Sequence, residues 1–130
     1  MKTKYTIIKN NLIKEHEEIN KEHLQKLLAE IKQDGFINDP IIVDKNTMIL
    51  LDGHHRLNVV KILGLTLVPV YLIDYQNKEI RVHSWRKGIK VTKEMVVSAG
   101  LTGKLLQAKT SKHLIPKKPT GLKIPLTTLS

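Results

Sequence analysis

The chain has 130 residues, 41% of them hydrophobic and 26% charged, a length and apolar share that suit one compact domain with an ordinary core. No cysteine is present, which excludes disulfides, thiolate metal sites and cysteine redox chemistry in this chain, and no apolar run approaches the ~18 residues of a membrane span. Lys and Arg number 22 against 12 Asp and Glu, a net charge of +10, which fits either an anionic partner or a lysine-rich solvated surface.

Residues Tyr5 to Ile8 read as a first short strand, followed by a loop from Lys9 to Ile19 that carries His16, Glu17 and Glu18. From Asn20 to Asp34 the residues Leu24, Leu27, Leu28 and Ile31 fall at i, i+3, i+4 and i+7, one apolar helix face. Asn20 is placed to cap that helix, Glu22 lies in its first turn and Gly35 is placed to end it. Pro40 to Val43 and Met48 to Leu51 read as two apolar strands around the polar turn from Asp44 to Thr47. The second runs into Asp52-Gly53-His54-His55-Arg56, then a helix to Leu63, Gly64, and a strand from Leu67 to Ile73. Strand, crossover helix and strand in that span suit a βαβ unit, with the pairing left open. Ile80 to Trp85 alternates as a half-exposed strand, and Thr92 caps a short helix to about Ala99, with Gly100 after it.

The segment from Pro116 to Ser130 holds three of the five prolines and cannot form a regular helix, so it is either packed in extended form or a loose arm. Residues 101–130 contain six lysines and no acid. There is no internal repeat. The expectation is one small α/β (α+β) domain over residues 1–130, with a short mixed sheet, flanking helices and a basic, proline-containing segment at 116–130. The first residues lack a signal-peptide core, so a soluble cytoplasmic protein with no membrane association is expected.

Asp52 to Arg56 form the sharpest local signal. Gly53 permits a tight turn and close backbone approach, and a helix starting at His54 aims free amides at any anion held there. Arg56 supplies a guanidinium fork for phosphate, and His54 and His55 supply further donors. Asp52 is a natural Mg²⁺ ligand, because Mg²⁺ takes one or two carboxylates and completes its shell with substrate phosphates. An Asp-Gly turn with a histidine-rich helix start is the plainer reading of any one of these residues. Zinc is disfavoured: adjacent His54 and His55 diverge by about 100° on a helix, and no thiolate is available.

Two further clusters are weaker. A carboxylate in the His16-Glu17-Glu18 loop can act as general base if it is held beside a hydroxyl, and otherwise is a solvated acidic loop. Lys109-Thr110-Ser111-Lys112-His113 gathers cations, hydroxyls and an imidazole in one turn, as an oxyanion cradle or as an exposed basic loop. Trp85 reads as core, with its polar neighbours raising the option of a ligand shelf. No Walker A, GxGxxG or GxSxG pattern occurs.

Taken together, these segments resemble the ParB/sulfiredoxin-like superfamily, in the order helix, Ile41-Ile42-Val43-Asp44, Leu50-Leu51-Asp52-Gly53-His54-His55-Arg56, helix, Gly64 and the strand through Tyr71. Within it the chain is similar to the free L-serine kinases, through the His16-Glu17-Glu18 loop, the Asp52–Arg56 motif and the segment from Lys109 to His113. The resemblance implies transfer of a phosphoryl group from ADP or ATP to free L-serine with Mg²⁺, giving O-phospho-L-serine for cysteine biosynthesis. It implies Glu17 and Asp52 as catalytic residues, Asp52 also at the metal, and Gly53, His54, His55, Arg56, Lys109 and Thr110 around the nucleotide phosphates. Trp85, Ser111 and His113 fall to substrate binding. Alanine at Glu17 or Asp52 is expected to abolish most turnover and leave the fold intact.

This chain departs from the family pattern at Lys14-Glu15 before the histidine, at Ala108 for a proline, and at Ser111 and Lys112 for Thr and Arg. The rivals are a ParB-like DNA-binding or nuclease module and a non-catalytic nucleotide sensor. A GERR-like motif is absent, there is no recognisable helix-turn-helix, and aromatic residues at 4% are too few for a base-stacking platform, so nucleic acid is not favoured. A sulfiredoxin role is excluded by the absence of cysteine. Oligomeric state is not legible.

Overall fold

A computed structural model describes residues 5–130. β1 (Thr6–Lys9) leads through a 3₁₀ turn at Asn10–Leu12 into the loop that carries His16 and Glu17. α1 (Lys21–Asp34) follows as expected. The Asn20 side chain accepts from the His23 amide, and Gly35 closes the helix at φ +78°.

β2 (Phe36–Ile37), β3 (Ile41–Asp44) and β4 (Leu50–Asp52) come next, then α2 (His54–Ile62) and β5 (Leu67–Ile73). The main sheet has the order β1-β5-β3-β4. β3 is parallel to β5 and antiparallel to β4, so the parallel crossover runs from β3 through β4 and α2 to β5. The expected unit from β4 through α2 to β5 therefore does not form. β4 closes an antiparallel pair with β3 instead, because the polar turn between them is too short for anything else.

All four residues of β3 are buried, the pattern of a central strand covered on both faces. Ile41 and Val43 pack on one side with Ile31 of α1, and Leu57 and Val60 of α2. Ile42 faces the other side with Ile49, Leu51, Tyr75, Val91 and Val96. The buried Asp44 ends the strand as a bracket: its carboxylate accepts from Thr47 N at 3.2 Å, Thr47 Oγ1 at 2.7 Å and Tyr75 N at 3.0 Å.

β6 (Arg81–Ser84) pairs antiparallel with β7 (Ser111–Leu114), and β8 (Ile124–Pro125) pairs with β2. The cluster from Lys109 to His113 is thus mostly strand rather than a single turn. α3 (Lys93–Thr102) is capped by Thr92 but runs past Ala99, ending at Gly103 with φ +79°. Gly100 is not its stop. A Cβ there would lie 2.7 Å from Ile49 Cγ1, so a helical glycine lets α3 seat on β4's flank. The C-terminal segment is packed at its end: Leu129 is fully buried and its carbonyl accepts from Thr66 N at 3.1 Å. Removing residues 121–130 would uncover β2 and β5, so the segment is no loose arm.

Candidate active site

One wall of the site is the junction of β4 and α2. Gly53 sits at φ +103°, and a Cβ on it would meet Ile41 Cγ2 at 2.7 Å, so both conformation and space demand glycine. No side chain caps α2, which leaves its first amides and the positive end of its dipole open.

The two histidines diverge as adjacent helical residues must. His54 is buried and its Nε2 accepts from the His16 amide at 3.2 Å; half-buried His55 accepts from the Asn20 amide at 2.9 Å. Each neutral ring therefore keeps its proton on Nδ1. Burial first, then the neighbouring His16 and His113, holds His54 well below the ordinary imidazole range. Burial, then His23 and Lys109, lowers His55. Arg56 is only partly the fork expected: Nη1 donates to the carbonyls of Asp39 at 3.1 Å and Pro40 at 2.8 Å. That fixes the guanidinium against the loop before β3 and leaves Nη2 and Nε without partners among the described residues.

The opposite wall is built around Glu17, 8% exposed. Its Oε2 accepts from Lys109 N at 3.1 Å. Its Oε1 accepts from Thr110 N at 3.2 Å, Ser111 N at 2.8 Å and Ser111 Oγ at 2.8 Å. A bridge between Glu17 and Leu106 runs the two segments side by side. Lys109 adopts φ +56°, turning successive amides onto the one carboxylate. Alanine at Glu17 would strand three buried amides and leave the Ser111 hydroxyl only His16 Nε2, so a loss of activity with the fold undisturbed is not expected at this residue. Such a loss fits Asp52 better, whose side chain is 42% exposed and whose Oδ2 lies 3.8 Å from Lys118 Nζ.

Behind this wall three imidazoles meet. His16 has no exposed surface; its Nδ1 lies 2.6 Å from Leu50 O and its Nε2 lies 2.9 Å from Ser111 Oγ. Its ring centroid is 4.5 Å from that of His54 and 5.9 Å from that of His113. Burial lowers His16, against the opposing pull of the Leu50 carbonyl and the Glu17 and Glu15 carboxylates. His113 hydrogen-bonds Tyr75 Oη through Nε2 at 2.8 Å, and burial with His16 nearby lowers it to about 3. Its Nδ1 faces the Leu51 backbone without a hydrogen bond.

The walls enclose a cavity of about 610 Å³ lined by Glu17, Asp52, Gly53, His54, His55, Arg56, Trp85, Lys109 and Ser111. Two expected residues are not there. The Thr110 hydroxyl is spent on Gln107 O at 2.6 Å, and His113 turns inward to Tyr75. In a strand, alternate side chains point to opposite faces, so Ser111 reaches the site from its neighbourhood and Lys112 does not. Trp85 is 60% exposed and therefore not core; it lines the cavity, with Lys112 Nζ 4.6 Å over its ring.

His23, Leu27, Asp39 and Leu51 also line the cavity. The i, i+4 spacing of His23 and Leu27 on one helix face was the signal available for those two. Asp39 carries no such signal. A second cavity, of about 580 Å³, lies beside Asp44, Tyr75 and Lys93. Its polar groups serve one another: Lys93 Nζ donates to the Tyr75 and Asn77 carbonyls at 2.8 and 3.0 Å.

Residues 2–85 match the model of the ParB N-terminal domain. The chain belongs to that family. The chain is 36% identical over 78 residues to an ATP-dependent L-serine kinase of Staphylothermus marinus, covering 57% of this chain and 31% of the relative. It is 25% identical over 93 residues to an ADP-dependent L-serine kinase of Thermococcus kodakarensis, covering 68% of this chain and 38% of the relative. This ParB-type chain thus spans about a third of the curated kinases it matches. The fold is that of a free serine kinase solved in complex with AMP, with a TM-score of 0.90 at 16% identity over 100% of this chain and 95% of that one.

Proposed function

We propose that the protein transfers a phosphoryl group from an adenine nucleotide, ADP or ATP, to the hydroxyl of free L-serine. The observation that carries this reading is the convergence of the Glu17 carboxylate, the uncapped N-terminus of α2 and Lys109 on one cavity. The serine kinases among the relatives and the AMP-bound neighbour of the same fold support the substrate classes.

In this reading the terminal phosphate of the nucleotide sits on the amides from Gly53 onward, beside Arg56. Lys109 neutralises further phosphate charge, and Trp85 offers a flat surface at the cavity mouth. Phosphoryl transfer asks mainly for positioning and charge stabilisation, which this set of donors supplies. Glu17 orients the serine hydroxyl and takes its proton as the new O–P bond forms. The bond to the nucleotide's leaving oxygen breaks with its electron pair, giving AMP from ADP or ADP from ATP. Ser111 acts through Glu17, while Thr110 and His113 support the wall from behind.

Mg²⁺ fits the residues present. No group of three or more His, Cys, Asp or Glu able to hold a metal occurs among the described residues, so an all-protein cage is absent. Asp52, with Asp39 also lining the cavity, would hold such an ion, because Mg²⁺ takes one or two carboxylates together with substrate phosphates. When bound there, Mg²⁺ would neutralise charge on the phosphates. On the same reading we propose a cytoplasmic location.

The test is incubation of the protein with L-serine, Mg²⁺ and either ADP or ATP, followed by mass spectrometry for O-phosphoserine. Product with either donor is expected. Nucleotide binding without product would favour a sensor, and salt-dependent binding of duplex DNA instead would favour a nucleic-acid module.

A further inference from the structure

His16 and Ser111 form a pair whose protons can be counted. A carbonyl only accepts, so the 2.6 Å contact of His16 Nδ1 with Leu50 O requires a proton on Nδ1. The ring has no exposed surface. Around it stand Glu17 at 3.9 Å and Glu15 on its own segment, His54 of α2 and His113 of β7, and burial favours the neutral ring. Nε2 is then a bare lone pair, and the group within reach is Ser111 Oγ at 2.9 Å. Ser111 Oγ also lies 2.8 Å from Glu17 Oε1. One hydroxyl hydrogen thus faces two acceptors.

We propose that Ser111 is a two-position hydroxyl switch and His16 a positioning residue that lets Glu17 change its charge during turnover. The inference rests on the reading of Glu17 as base. With the carboxylate ionised, Ser111 donates to Glu17 Oε1. When the acceptor O–H bond breaks and its proton lands on Glu17, Oε1 becomes the poorer acceptor. Ser111 then rotates its hydrogen to His16 Nε2, and no covalent bond of Ser111 or His16 breaks. Each charge state of Glu17 keeps a full hydrogen-bond set, while the amides of Lys109, Thr110 and Ser111 hold the carboxylate in place throughout.

Asparagine at His16 separates this role from a structural one. Its Nδ2–H can replace the bond to Leu50 O, but it offers no acceptor at the Nε2 position. His16→Asn and Ser111→Ala are expected to lower kcat for phosphoserine formation at least ~10-fold with KM for both substrates unchanged, and Ser111→Thr to recover most of it. Melting curves of each variant check that it is folded. In the wild-type protein, ¹⁵N NMR of the histidine rings should show His16 in the Nδ1–H form. A wild-type kcat in His16→Asn, or a proton on Nε2 of His16, would overturn the switch while leaving the kinase reading intact. Absence of phosphoserine from the wild-type protein would overturn both.

Discussion

One wall of the cavity, Asp52 to Arg56, is five consecutive residues, whereas the other joins Glu17 to Lys109, Thr110 and Ser111 across 92 to 94 positions. The contiguous wall gets its shape from local rules: a glycine at positive φ, an uncapped helix start and side chains fanned by helical geometry. The assembled wall has no local rule behind it. Its shape comes from one buried carboxylate that collects amides from a distant segment, so stability and chemistry rest on the same atoms. In the contiguous wall they separate, because Asp52 faces the cavity with little structural duty.

Breaking the assembled wall should have the largest effect. Glu17→Ala is expected to cut turnover by ~10²–10⁴-fold, the span of a lost general base. It should also destabilise the fold by more than the ~1–3 kcal/mol of a single stranded buried donor. Asp52→Asn should match it in turnover loss and barely move the melting temperature. Parallel assays and melts of the two variants check the contrast, and equal melting temperatures would break it.

Gly53→Ala tests the contiguous wall. The Cβ must displace Ile41 and hold a conformation costly for alanine, so a loss of ~1–3 kcal/mol is expected, with weaker nucleotide binding in calorimetry.

The histidines where the walls meet give a pH signature. His54 and His113 have folded-state pKa values below the ordinary 6.5, His113 at about 3, so the unfolded chain binds protons first as pH falls. Stability should be flat with respect to these groups above pH 6.5 and decline from there toward pH 3. Urea midpoints across that range read the effect, and His113→Gln should flatten part of the slope.

The smallest effect is expected at the rim. Lys118 and Asp52 are both well exposed, so Lys118→Ala should change stability by no more than ~0–1 kcal/mol, measured by the same urea titration.

The sequence by itself determined the elements whose causes are local. α1 follows from its apolar spacing, the Asn20 cap and Gly35, and β5 from an unbroken apolar run between turn residues. The Asp52–Arg56 corner was legible for the same reason, since strand end, glycine and helix start are neighbours in the chain. Tertiary structure decided what depended on distant partners. Gly100 looked like a helix stop, and only its contact with Ile49 makes it a helix interior. β2 and β8, two residues each, show no periodicity and exist because they pair with one another. Thr110 and His113 looked like ligand groups until Gln107 and Tyr75 were found to occupy them. Glu17 read as a solvated loop acid or a base, and four donors from the far end of the chain decided that it is buried. A hydrogen bond is a property of two groups, and a sequence shows only one of them at a time unless chain geometry brings the other alongside.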